Sequence, residues 1–483
     1  MYIDDIINKS NFFDQKDKKA IKENGVVFTN RNICDIIINK INPGINEVIC
    51  EPSVGRGAFI FPLLEFFRKK HSIDELANFV NNNLFCYDIN KEFILDLKGL
   101  LKDYFNHFNY AGNLDLKNII NGDFLIQNIK YDIVIGNPPY IRIQNIDKDY
   151  LDYLKGELKS IRLGNVDLYY AFLEKSLMVA GRIGFIIPNS FIKNKSAFFI
   201  RDIIKERLSY IYDFKNDKVW SGISTYTSIV ICDNDCSDNL LYETNNLNIN
   251  KKKIELASDK WIFEDITYGT NKLVDMVNSH SGGIATIKDD VYKMDSYDDI
   301  YCYKNGFKIE KDICKKYIKA TTSANFEDCK YIIYPYVDGK IIDENLFKIQ
   351  YPLCYEYLLN RKDDLLSRDK GKVSKYDAWY AYGRRQGLLK EKKGDCLILP
   401  LTFLKSRNIH YIEVPESEEC LVVSGLLIDV KPNMKKKFIK TISSDEFYKF
   451  CELNNKILAD KNRPNDCWLS VTSTTIKDYC YFL

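Results

Sequence analysis

Histidine is scarce in this 483-residue chain, at four residues, and none of the four sits near a pair of cysteines. That argues against a zinc ribbon or finger. Cysteine is plentiful at fourteen, but no CxxC pair occurs, and the closest spacing is Cys232 to Cys236. Scattered thiols in a chain this long read as reduced, mostly buried residues rather than a disulfide framework. No apolar run approaches the roughly 20 residues a membrane span needs. The N-terminal MYIDDIINKSNFFDQKDKK has neither a basic start nor an apolar segment of signal-peptide type. Together these absences predict a cytoplasmic chain with no membrane association and no structural metal.

A strong charge of one sign is also missing. There are 69 Lys and Arg against 67 Asp and Glu, a net +2. The balance is uneven along the chain, however. Residues 301–410 hold 22 basic and 14 acidic residues, a local +8, which leaves −6 for the remainder. A basic segment beside a mildly acidic one suggests a polyanion-binding region; a solvated charged face explains the charge alone equally well.

What is present is ordinary globular composition, 46% hydrophobic and 28% charged, in a length that suits two or three domains. Residues 1–24 are polar and read as an N-terminal extension. From residue 25, strand and helix signals alternate. EVICE (47–51), LFCYD (84–88), NIINGDFL (118–125), YDIVIGNPP (131–139), RIGFIIP (182–188) and TSIVIC (227–232) read as strands. FIFPLLEFF and DLYYAFLEKSLMVA (167–180) read as helices between them. Such alternation implies a doubly wound, mostly parallel sheet. The chain turns polar after residue 235, so the first domain is expected to span 25–240. Residues 241–483 carry shorter, mixed signals and many aromatics.

Chemistry concentrates at the ends of the expected strands. CEPSVGRGAF (50–59) ends a strand in Glu51 and turns through Gly55 and Gly57 into a helix. In open α/β sheets, ligands bind at that carboxyl edge. The spacing is not GxGxxG, and a tight strand–helix turn accounts for the stretch by itself equally well. Asp88 ends the second strand, where an acidic residue can take ribose hydroxyls. In GDF (122–124), Asp123 can bond an adenine amine and Phe124 can stack on its ring. Each of these acids, taken singly, is more simply a cap. Three acidic strand tips in order, followed by Asn137-Pro138-Pro139-Tyr140, are harder to explain as caps. Two prolines cannot continue a ladder, so NPPY is a terminator or a rigid shelf at a cleft.

EPSVGRG, the Asp88 tip, GDF and NPPY, in that order, resemble the S-adenosylmethionine-dependent methyltransferases. NPPY resembles in particular the amino-methylating DNA methyltransferases that make N6-methyladenine, in their gamma-type motif order. FTN (28–30) is similar to that family's Phe-Thr-Pro motif, with Asn30 in place of proline. DLYYAFLEKS is similar to its helix after NPPY, in which a phenylalanine lies over the cofactor adenine; Phe172 fits. The resemblance implies a seven-stranded methyltransferase sheet followed by a mixed α+β DNA target-recognition domain. It implies a cofactor set of Thr29, Glu51, Ser53, Gly55, Gly57, Asp88, Ile89, Asp123, Phe124, Pro139 and Phe172. It implies Asn137, the Pro138 carbonyl and Tyr140 as the catalytic set, with Tyr140 and Trp220 (in KVWSGISTYTSIVIC) stacking on the target base; a core position is the alternative for Trp220.

In that chemistry the Asn137 side-chain oxygen and the Pro138 carbonyl accept the two hydrogens of an exocyclic amine and aim its lone pair at the methyl group. Rigid prolines preorganise the acceptors. A base inside a duplex must be flipped out at a cost of a few kcal/mol, which stacking at about 1–3 kcal/mol per base can offset. Neither a general base nor a metal is needed.

Residues 301–410 would then recognise double-stranded DNA, with Lys375, Arg384, Arg385 and Lys405 as candidates for phosphate or guanine contact. Trp379, Tyr380 and Tyr382 are more simply core. A cognate restriction endonuclease, or a solitary methylase acting as a monomer, both fit. Cytosine N4, RNA guanine N2 and protein glutamine share the chemistry of a planar amine. A non-catalytic nucleic-acid-binding scaffold is the alternative from another class, and the intact NPPY and glycine loop weigh against it.

Overall fold

A computed structural model describes residues 29–164, 166–215, 217, 219, 225–256, 260–263, 269–371, 374, 376–384, 387–388, 395–454, 457–459 and 467–481. Contacts divide the chain into two units, which part after residue 265.

The first unit is built on a nine-stranded sheet. Its strands are β1 (Ile49–Glu51), β2 (Leu84–Asp88), β3 (Ile119–Asn121), β4 (Tyr131–Gly136), β5 (Ala180–Pro188), β6 (Leu208–Asp213), β7 (Thr227–Asp233), β8 (Asn239–Glu243) and β9 (Asn248–Lys252), in the order β3-β2-β1-β4-β5-β7-β6-β8-β9. β3 through β5 are parallel, and β7 runs antiparallel between β5 and β6. The short apolar runs bounded by turn residues form these strands because both faces are covered. Val134 and Ile183 face one core, with Leu173 and Ile200. Ile133 and Ile186 face the other, with Ile37 and Leu97.

Seven strands are the expected set. The two additions, β8 and β9, read NLLYE and NINKK, and their polar composition disguised them. They extend the sheet past residue 240, where the composition shift had suggested a boundary. Only Leu240 and Tyr242 of this hairpin are buried, as befits an edge that one apolar stripe attaches.

The helices are α1 (Arg31–Ile41), α2 (Ile60–Arg68), α3 (Ile73–Asn82), α4 (Lys91–His107), α5 (Lys148–Glu157), α6 (Tyr169–Val179) and α7 (Phe198–Lys205). Asn30, which stands where the resembled motif has proline, caps α1 by accepting the Asn32 N–H at 3.0 Å. Asn is among the best N-cap residues. Ile33, Ile37, Ile38 and Ile41 then lie on one buried face. α3 starts with a capping box of Ser72 and Glu75, and Asp147 caps α5 by accepting the N–H groups of Asp149 and Tyr150. β1 and β4 are adjacent, but β2 and β3 follow β1 on one side and β5 follows β4 on the other. The cleft outside β1 and β4 is therefore the switch point where doubly wound sheets bind ligands.

The second unit is mixed α+β. Its largest sheet pairs strands at 277–282, 425–430, 395–400 and 412–414, all antiparallel. One core gathers Tyr292, Tyr357, Tyr380 and Tyr382, and another gathers Leu397, Ile428 and Phe447. Among the described residues no helix is long and apolar enough to cross a membrane. All fourteen cysteines are free thiols, and no cluster of metal-ligating side chains occurs among the described residues.

Candidate active site

The carboxyl ends of β1, β2 and β4 and the turn after β3 surround a cavity of about 390 Å³. Of the expected cofactor residues, Thr29, Glu51, Ser53, Gly55, Asp88, Ile89, Asp123, Phe124, Pro139 and Phe172 line it, together with Asn137. Six elements distant in sequence thus converge on one cleft. Gly57 does not line it. Its φ is +90°, and a Cβ there would meet Leu97 Cδ1 of α4 at 2.6 Å, so this glycine serves a left-handed turn and a close helix approach.

The NPPY segment is anchored at its first residue. Asn137 Nδ2 donates to Thr29 Oγ1 at 3.1 Å, and the Ser53 hydroxyl donates to the Asn137 carbonyl at 3.0 Å. The amide is thereby turned by one bond, and its backbone is tied to the glycine loop by another. Gly136, at φ +154°, brings β4 to its end against β1; a Cβ there would meet Glu51 Cγ and Pro52 Cδ, each at 3.4 Å. Pro138 is buried. The Tyr140 hydroxyl donates to the Ile186 carbonyl at 3.1 Å, and its half-buried ring packs edge-on against Tyr169. Neither Pro138 nor Tyr140 lines the cavity. They stand on the shelf beside it.

The acidic residues differ in their surroundings. Glu51 is 2% exposed, and its Oε2 is buried with no hydrogen-bond partner among the described residues. Burial, and then the Asp88 carboxylate, push its pKa well above the usual carboxylate range. Asp88 accepts the Gly55 and Asn90 N–H groups, each at 2.8 Å; burial raises its pKa against the pull of those two bonds. Asp123 does cap a short turn, accepting the Leu125 N–H at 2.9 Å, and also accepts the Tyr150 O–H. Cap and cavity wall are the same carboxylate.

Phe124 and Phe172 lie nearly parallel, 17° apart with centroids at 6.0 Å. Ile89 is 76% exposed, a large apolar side chain at a strand tip and on the cavity wall. A cation-bearing nucleoside fits this lining. Buried carboxylates are costly unless paired, an exposed isoleucine gains from an apolar ring, and Asp88 and Asp123 offer acceptors to hydroxyl and amine groups.

Sequence reasoning missed Asn90, Phe93, Ile141, Tyr150 and Leu168, which also line the cavity. Tyr150 had a local signal, an aromatic in the first turn of a capped helix, but its partner lies 27 residues earlier. Trp220, Lys375 and Arg385 lie outside the described residues. Arg384 pairs with Asp369 at 3.0 Å and Lys405 with Glu452 at 2.7 Å, each cation about half exposed. Tyr380 and Tyr382 are buried, as a core reading expects, and Trp379 is half-buried with its indole N–H on Glu344.

Residues 63–220 match the sequence profile of the Eco57I restriction-modification methylase family. The chain is 27% identical over 320 residues to the Type II restriction enzyme and methyltransferase RM.Eco57I of Escherichia coli, covering 55% of this chain and 32% of that protein. It is 25% identical over 233 residues to the Type II methyltransferase M.PaeR7I of Pseudomonas aeruginosa, covering 44% and 40%. It is 29% identical over 220 residues to M.HincII of Haemophilus influenzae, covering 43% and 36%. The matched regions thus span less than half of these relatives. The Type IIL restriction-modification enzyme MmeI, solved in complex with DNA, superposes with a TM-score of 0.57 at 14% identity, over 94% of this chain and 64% of that one. The Type ISP enzyme LlaBIII, solved bound to DNA, gives 0.53 at 14%, over 88% and 35%. At such identities these structures show a shared fold.

Proposed function

From a chain that carries a restriction-modification methylase domain of the Eco57I type at residues 63–220, with S-adenosylmethionine as its cofactor, we propose a site-specific DNA methyltransferase acting on adenine N6. The observation that carries this reading is the anchored Asn137 amide on the cavity wall, beside the two prolines and Tyr140. The cofactor supplies an electrophilic methyl group on a cationic sulfur. Everything else falls to the chain.

Glu51 and Asp88 answer the cofactor's positive charge and ribose. Ile89, Phe124 and Phe172 take its adenine. Thr29 and Ser53 hold Asn137 so that its Oδ1 and the Pro138 carbonyl accept the two hydrogens of the target amine. That pair of acceptors localises the nitrogen lone pair and directs it, a preorganised arrangement that needs no reorganisation during transfer. Tyr140, tied at its hydroxyl to Ile186, stacks on the base once it leaves the duplex. The extra proton passes to water after transfer.

The second unit would hold the duplex. Arg384 and Lys405 lie in exposed ion pairs, which are worth about 0–1 kcal/mol, so a phosphate can replace the carboxylate partner at little cost. Such a domain in a restriction-modification pair would protect host sites from a cognate endonuclease.

Purified protein, S-adenosylmethionine and unmethylated plasmid should yield N6-methyl-2′-deoxyadenosine by mass spectrometry of the nucleosides. The Asn137→Ala variant should lose at least about a hundredfold in rate, as losses of single preorganised groups do, with cofactor affinity retained. N4-methylcytosine as product would move the target to cytosine. No modified deoxynucleoside from a protein that binds cofactor would overturn the DNA reading.

A further inference from the structure

Tyr150 stands in an unexpected place. It lies in the first turn of α5, just beyond the NPPY shelf, and its half-buried ring packs on the first core. Its hydroxyl reaches back to the turn after β3 and donates to Asp123 Oδ2. The helix that carries it is fixed at both ends. Asp147 caps its start, and just past its end the Glu174 carboxylate accepts the Lys159 and Ser160 N–H groups at 3.0 and 2.8 Å. Tyr150 is therefore a rigid donor, and burial together with the Asp123 bond pushes its phenol pKa up, so it stays protonated.

The two oxygens of a carboxyl group can each accept more than one hydrogen bond. At Asp123 one such bond comes from the Leu125 N–H on Oδ1 and one from the Tyr150 O–H on Oδ2. The two donors hold the carboxylate from both ends and leave acceptor positions on a group that lines the cavity. We propose that Tyr150 is a positioning residue for cofactor selection: its hydroxyl sets the Asp123 carboxylate at the angle that accepts the 6-amino group of the cofactor's purine. This rests on the reading of Asp123 as the acceptor for that amine. A purine bearing a 6-oxo group presents an acceptor to the same carboxylate and is rejected. Without the hydroxyl the carboxylate can rotate, and both the bond to the amine and the rejection weaken.

The test is calorimetric binding to the full chain of S-adenosylhomocysteine and of S-inosylhomocysteine, whose base has an oxo group in place of the 6-amino group and, with it, a hydrogen on N1. The wild type should prefer the amino ligand. In Tyr150→Phe the ratio of the two dissociation constants should fall by about tenfold, the scale of one charge-assisted hydrogen bond. Tyr150→Leu serves as a second variant, read by the same ratio so that lost packing cancels. If both ligands weaken equally, Tyr150 only supports the fold and the proposal fails. If the ratio stays at the wild-type value, the proposal fails while the Asp123 reading stands. If the wild type shows no preference, the Asp123 reading itself is wrong.

Discussion

A carboxylate sealed at 2% exposure with an unpartnered oxygen, as Glu51 is, destabilises its own ionised form. Its pKa is raised in the free protein, first by burial and then by Asp88. A raised acid favours folding while protonated, so its contribution to stability falls as pH rises from the unfolded carboxylate range through the raised value. A cationic ligand reverses the preference by pairing with the charged form. S-adenosylmethionine affinity measured by calorimetry without DNA should therefore rise with pH across that window, with proton release on binding. Glu51→Gln should flatten the profile and weaken binding about tenfold or more on its alkaline side. A pH-independent wild type would remove Glu51 from the cofactor's charge recognition. At this scale the sequence was legible where chemistry is local. Glu51, Asp88 and Asp123 sit at strand tips and could be read as such. Gly57 stands off the cavity wall, held by a close approach to Leu97 forty residues later, and Tyr150 was passed over because Asp123 is a tertiary partner.

The elements show the same division between local pattern and distant packing. Apolar runs such as YDIVIG and RIGFIIP reveal buried strands because both faces of the sheet are covered, and their alternation with helices implies the parallel order of β3 through β5. The β8–β9 hairpin was invisible because its alternation is mostly polar. Gly184, inside β5, carries no turn signal either. Its reason is α1: a Cβ there would meet Ile37 Cγ2 at 2.7 Å and Ile41 at 3.0 Å. The helix that follows Thr29 lies directly on the strand. Gly184→Ala should cost about 1–3 kcal/mol through overpacking, read as a lowered denaturation midpoint with unchanged slope. Because α1 begins two residues after Thr29, its displacement should also loosen the Asn137 anchor. An alanine variant as stable as the wild type would mean that α1 shifts freely on the sheet.

Whole-molecule behaviour follows from where the cores lie. The two hydrophobic clusters of the first unit run from Ile33 to Phe263, and those of the second begin at Leu273. Among the described residues each unit has its own clusters, and the cavity is lined wholly from Thr29 to Phe172. The net charge is as unevenly shared, with the local +8 of residues 301–410 falling within the second unit. A domain that owns its core can fold alone. Residues 1–265 expressed by themselves should unfold cooperatively and bind S-adenosylmethionine within about threefold of the full chain. They should lose most of the affinity for duplex DNA. With the basic segment gone, the dependence of log K on log salt should also be shallower, since each phosphate contact contributes about 0.9 to that slope on duplex DNA. Equal DNA affinity and equal slope in the fragment would transfer duplex binding to the first unit and leave residues 301–410 a solvated charged face.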